Sequence, residues 1–135
     1  MTQLSADRDT PLRIGSHVSD PVAGSTLIYA GALVVLNSNG YAAPGSETTG
    51  LTARGRAEHR ADNSDGADGD RSVEVRRGVF RFANSGSDPV ERNHIGGDAY
   101  IVDDQTVAAT DGSGSRSAAG RVVDLDGTGV WVEIG

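Results

Sequence analysis

Between Gly78 and Ile134 the apolar residues fall into short runs that alternate with polar ones, and the runs are separated by Asp-Gly, Gly-Gly and Gly/Ser clusters. Val130, Val132 and Ile134 alternate with Trp131 and Glu133, the period of a half-buried strand. The pattern predicts strands over Ala99–Val102, Thr106–Ala108, Ala119–Leu125 and Val130–Ile134, the last two joined as a hairpin across Asp126–Gly129. Upstream, Leu27–Tyr29 and Ala32–Leu36 read as two strand pieces around Gly31. Asn39-Gly40 follows as a hairpin turn, because both residues tolerate positive φ. Tyr41–Ala43 returns along the partner strand and Pro44-Gly45 ends it. Leu51–Arg60 is a weaker strand broken by Gly55. No apolar stripe with the period of an α-helix stands out. The expected fold is all-β, a small barrel or sandwich of about eight short antiparallel strands.

One segment raises a question of parity. In a regular strand over Arg71–Ala83, Val73 and Val75 face one side while Phe80 and Phe82 face the other. A bulge at Arg77-Gly78 shifts the register by one, turns all four toward a single core and sends Arg81 into solvent. The alternative is a strand buried on both faces. Residues 1–16 show neither period. They carry Asp7, Arg8, Asp9, Pro11 and Arg13, with Leu4, Leu12 and Ile14 as the large apolar residues beyond Met1. They read as an extended arm in front of a single β-rich domain over 17–135. Such an arm is either a frayed terminus or a strap that docks on another subunit.

Composition narrows the function classes. The 135 residues carry a net charge of -7, which disfavours binding to phosphate backbones, so no nucleic-acid partner is expected. The absence of cysteine removes disulfides and thiolate metal sites. The N-terminal stretch lacks the apolar run of a signal peptide, and Leu27–Leu36 is about half the length of a membrane-spanning helix, so no membrane partner is expected.

Candidate chemistry is sparse. Asp62, Asp65, Asp68 and Asp70 invite a calcium reading, but they fall out of step with a calcium loop and lack its closing Glu; an exposed loop over Asp62–Asp70 is the default. His17, His59 and His94 are far apart and none has a ligand partner at metal spacing. No Gly-x-Ser-x-Gly elbow is present, and Gly112–Ser115 lacks the Gly-Lys-Ser/Thr ending of a phosphate loop. It reads as a flexible turn within Asp111–Ser117. The six aromatic residues lie mostly in strand positions, leaving Trp131 and Tyr41 as candidates for a sugar platform. The expectation is a protein with no catalytic residues, no metal and no cofactor.

Several segments, taken in order, resemble the tailed-bacteriophage capsid cement (head decoration) proteins. They are Tyr29–Val34, Arg77–Phe80, Ile95–Asp103, Ala119–Val123 and Val130–Val132. The resemblance implies a β-rich body on the outer surface of the virion capsid, made in the host cytoplasm. It would sit there as a homotrimer at three-fold and quasi-three-fold positions, bridging subunits of the major capsid protein. It carries no catalytic residues and implies no cofactor. In that setting the arm reads as the capsid-binding strap, through Leu4, Asp7, Arg8, Pro11, Leu12, Arg13 and Ile14.

Overall fold

A computed structural model describes residues 2–11 and 15–135. The fold is all-β, as the alternation predicts, and the described residues contain no α-helix. In chain order the strands are β1 (His17–Pro21), β2 (Thr26–Ile28), β3 (Leu33–Leu36), β4 (Ala42–Pro44), β5 (Thr52–Ala57) and β6 (Ala61–Asn63). Then follow β7 (Ser72–Arg76), β8 (Gly78–Asn84), β9 (Asp98–Ile101), β10 (Thr106–Ala108), β11 (Ala118–Asp126) and β12 (Gly129–Ile134), with a 3-10 turn over Arg92–His94.

The first half builds an antiparallel sheet in the order β1-β7-β5-β3-β4, with β2 and β6 paired beside it. The sheet curls so that its two outer strands approach at one end, where Val22, next after β1, bridges Ala42 of β4. The second half closes into a five-stranded barrel, β10-β8-β12-β11-β9, in which β8 and β10 are parallel and the other pairs antiparallel. Closure pairs every barrel strand on both sides, which removes the exposed edges of an open sheet.

The two halves meet through β3. Its four residues, Leu-Val-Val-Leu, are nearly all buried, because both faces of this strand are covered. Leu33 and Val35 join Phe80, Phe82, Ile101, Val107, Val130 and Val132 in the core of the barrel half. Val34 points the other way, into a second cluster with Val18, Val22, Ile28, Ala42, Val73 and Val75. A continuous apolar run, rather than an alternating one, is what a strand between two cores requires.

This division corrects the reading of Arg71–Ala83. The break at Arg77-Gly78 is real, and Gly78 takes a φ of +156°. It does not gather Val73, Val75, Phe80 and Phe82 into one core. The chain leaves one sheet and enters the other, so the valines pack in the first cluster and the phenylalanines in the barrel. Arg81 is exposed, as the shifted register requires.

Two further expectations change, at Ala61–Asn63 and at Asp111–Ser117. Ala61–Asn63, read partly as loop, is strand β6, held by antiparallel pairing with β2. The loop after β8 contains the Arg92–His94 turn and the buried Val90, whose N–H and C=O both bond to the Asn84 side chain (2.8 and 2.9 Å). The Asp111–Ser117 turn is pinned rather than free. The Arg116 guanidinium donates to Glu47 Oε1 (3.0 Å), Asp88 Oδ2 (2.9 Å) and the Thr110 carbonyl (3.1 Å). The Asp88 carboxyl is held below the usual range, chiefly by the hydroxyl of Thr110 and also by Arg116. The hairpin at Asn39-Gly40 forms as expected, with Gly40 at φ +84° and the Asn37 side chain accepting the N–H groups of Asn39 and Tyr41.

Candidate functional site

Residues 2–11 are exposed throughout, and Leu4 is 71% accessible, the highest of any large apolar residue described. Their hydrogen bonds among the described residues stay within the arm, between Arg8 and Thr10. Of the strap residues read from the sequence, Leu4, Asp7, Arg8 and Pro11 are therefore available to a partner. Leu12, Arg13 and Ile14 lie outside the described residues.

The arm joins the body at an open sheet edge. β1 is the outermost strand and pairs with β7, from His17 opposite Arg76 to Pro21 opposite Ser72. Arg77 donates to the Ser16 carbonyl and Val22 to that of Arg71, which fixes the alternation of the ladder. Ser16, Val18, Asp20 and Val22 bond toward β7, so the backbone groups of His17, Ser19 and Pro21 face outward. Pro21 stands where the missing N–H costs no ladder bond, and it blunts one end of the edge. His17 and Ser19 remain open.

A charged row crosses the sheet at the same place. Arg56 of β5 lies directly opposite Arg76 of β7, and Arg76 directly opposite His17 of β1, so all three share one face. Like charges directly opposite one another disfavour pairing. Glu58 relieves this, since one of its carboxylate oxygens takes Arg56 Nη2 at 2.8 Å and lies 3.6 Å from Arg76 Nε. The Arg56 bond is the main reason the Glu58 carboxyl lies below its ordinary range. Arg76 also donates to His17 Nε2 (2.8 Å), and the Arg56 guanidinium lies 4.7 Å from the centre of the Phe80 ring. Two half-exposed guanidiniums thus share one carboxylate oxygen.

The other candidates are occupied by structural bonds. In the acidic loop, Asp62 accepts Ser64, Asp68 accepts the Gly24 N–H (2.7 Å) and Asp70 accepts the Ala67 N–H (2.9 Å). Asn63 is buried beneath and donates its amide to the carbonyls of Val22, Ala23 and Ala67. The loop is clamped to the chain after β1, and no group of three or more acidic or histidine side chains among the described residues is placed to hold a metal ion. His59 has both ring nitrogens engaged, with the Arg60 carbonyl and the Glu74 N–H, and His94 Nδ1 accepts the Glu91 N–H. The Trp131 indole N–H reaches toward Asp126 (3.4 Å), and the Arg81 guanidinium lies 5.8 Å from its ring.

Sequence reading missed two features. Tyr29, assigned to a strand, is 56% exposed beside a shallow cleft with Gly31, Asp104 and Gln105. It follows the last residue of β2, where alternation ends and gives no signal. The Arg56–Arg76 pairing depends on strand order, which a local pattern does not carry. No protein-family model matches the chain, and no curated protein or solved structure does either. The functional reading therefore rests on the site itself.

Proposed function

We propose that this chain is a structural virion protein that binds the outer surface of a phage head and stabilises contacts between major capsid protein subunits. The observation that carries the reading is the exposed arm beside an open strand edge, on a body whose acidic loop, His59, His94 and Arg116 are held by bonds within the body. A folded body with a projecting segment suits cementing. The segment obtains main-chain bonds and pocket contacts without a large preformed interface. Repetition of the site over a capsid multiplies a modest contact when the protein binds as a trimer. The acidic surface suits an outer position, away from packaged DNA.

The test is co-sedimentation with undecorated, expanded heads, scored as copies bound per capsid. Binding should saturate near one trimer per three-fold and quasi-three-fold site. Deleting Thr2–Ile14 should leave a folded body and reduce head binding at least tenfold. Full-strength binding by the truncated protein removes the arm from the mechanism, and no binding by the full chain removes the cement role.

A second reading, a carbohydrate- or host-surface-binding module, draws support from exposed Tyr29 beside its cleft, since an aromatic face is the usual platform for a sugar ring. Glycan-array binding that disappears in Tyr29→Ala would favour it over the cement.

A further inference from the structure

We infer that Asn39 is a site of spontaneous covalent modification. The backbone nitrogen of Gly40 attacks the side-chain carbonyl carbon of Asn39, and ammonia leaves. The resulting succinimide takes up water to give aspartate or isoaspartate at the tip of the β3–β4 hairpin. The inference concerns this hairpin alone and stands apart from the cement reading.

The structure separates Asn39 from the other asparagines. Asn63 is buried, and its amide donates to three carbonyls. Asn84 donates to the Val90 carbonyl and accepts its N–H, and Asn37 Oδ1 accepts the N–H groups of Asn39 and Tyr41. Each of these side chains must leave its bonds before it can bend back onto the main chain, and each precedes a serine, whose Cβ crowds the approach. Asn93 is exposed but lies within the 3-10 turn, ahead of the larger His94. Asn39 is exposed at the hairpin tip, and its side chain makes no hydrogen bond among the described residues. Its neighbour is glycine, so no Cβ stands in the way, and a Cβ placed there would meet nothing within 4 Å. Glycine also lets the intervening peptide plane turn at little cost.

One bond opposes the reaction. Gly40 donates its N–H to the Asn37 carbonyl at 2.9 Å, and attack requires its release. That bond sits at an exposed tip, where local opening costs far less than unfolding the core. The folded chain therefore reacts through a brief opening, more slowly than the unfolded chain and faster than at any other asparagine. The bond from Cγ to the amide nitrogen breaks, the bond from Cγ to Gly40 nitrogen forms, and water is the only co-reactant. Hydrolysis on one side of the ring restores the chain with aspartate, and on the other routes the main chain through Cβ. The second product inserts an extra backbone atom where Asn37 spans Asn39 and Tyr41, just before the fully buried Ala42, and loosens the turn.

The experiment is incubation of the full folded chain at mildly alkaline pH, followed by peptide mapping with mass spectrometry and by ammonia release. The same chain in concentrated urea runs beside it. In the folded chain Asn39 should convert first, about tenfold or more faster than any other asparagine. The rate should rise with pH, because the attacking nitrogen must lose its proton. Isoaspartate should appear with aspartate at position 39, which direct hydrolysis of the amide does not produce. In urea Asn37, Asn63 and Asn84 should lose their protection and begin to convert. Asn39→Asp should keep the fold by circular dichroism and abolish the early ammonia release. Asn37→Ala unties the N–H groups of Asn39 and Tyr41 and should speed conversion at Asn39. In the isoaspartate form, separated by its product peptide, the Tyr41 amide should exchange faster than in the unmodified chain. A folded chain that keeps Asn39 while the urea sample converts it overturns the inference, because the turn bond then governs. So does another asparagine converting first, or aspartate as the sole product.

Discussion

At the residue scale, the least expected group is Asp20. Its strand alternates Val18 inward, Ser19 outward, Asp20 inward, so a carboxylate occupies a core-facing position at 6% exposure. It is tolerated because Arg54 of β5 reaches it with two parallel bonds, Nε to Oδ2 at 2.7 Å and Nη2 to Oδ1 at 3.0 Å. A bidentate guanidinium–carboxylate pair fixes geometry as well as charge. Removing one partner leaves the other desolvated without compensation. Asp20→Asn should therefore lower stability by about 2–3 kcal/mol, toward the low end for a broken buried pair because Arg54 keeps some solvent contact. Urea denaturation measures it, and a loss within about 0.5 kcal/mol would mean that Arg54 turns to water at little cost. Nothing in the local pattern pairs these residues; they stand 34 positions apart, and only the order β1-β7-β5 brings them together.

At the element scale, the legible strands were those with an apolar run or alternation of their own, whether the partner is near, as for β11 and β12, or far, as for β2 and β7. The β11–β12 hairpin and the Asn39-Gly40 turn follow from alternation and turn chemistry between neighbours in sequence. β6 was hidden because its three residues lie among aspartates. The β11–β12 hairpin shows how its turn is held. Asp126 Oδ1 accepts both the hydroxyl and the N–H of Thr128, the latter at 2.8 Å, and Oδ2 faces the Trp131 indole. These donors favour the carboxylate, Thr128 foremost, and bring the Asp126 pKa down from 3.8 to about 2. Because the folded value lies below the unfolded one, this stabilisation is complete above about pH 4 and is lost as pH falls through about 2. Carboxyl NMR should show Asp126 titrating near 2, and Asp126→Asn should flatten the part of the stability profile between those limits. A midpoint near 4 would mean that the turn forms without these bonds.

At the scale of the whole molecule, the fold class was visible in the sequence and its partition into two cores was not. Alternation tells which residues of a strand share a face. It does not tell which of two sheets the strand belongs to, and Arg77-Gly78 reads the same as a bulge within one sheet or as a crossing between two. The run Leu33–Leu36 carried the missing information, since a strand apolar at every position needs a core on each side. The candidate site was legible to a lesser degree. The arm's composition marked it, while the charged row beside it emerged only from the pairing of three strands. Sharing β3 has a thermodynamic consequence. Leu33 is fully buried in the barrel-side cluster, donates its N–H to the Asp104 carbonyl, and accepts from the Gly45 N–H. Losing the barrel would strip one face of β3, and losing the sheet would remove part of the barrel's packing, so neither half keeps its core alone. The protein should unfold in one transition despite its two clusters. Leu33→Ala should cost about 2–5 kcal/mol. Native-state hydrogen exchange should show the slowest amides of β7 and β12 opening at the same free energy, and the substitution should lower both equally. If only the β12 amides respond, the barrel is a separate cooperative unit and β3 belongs energetically to one core.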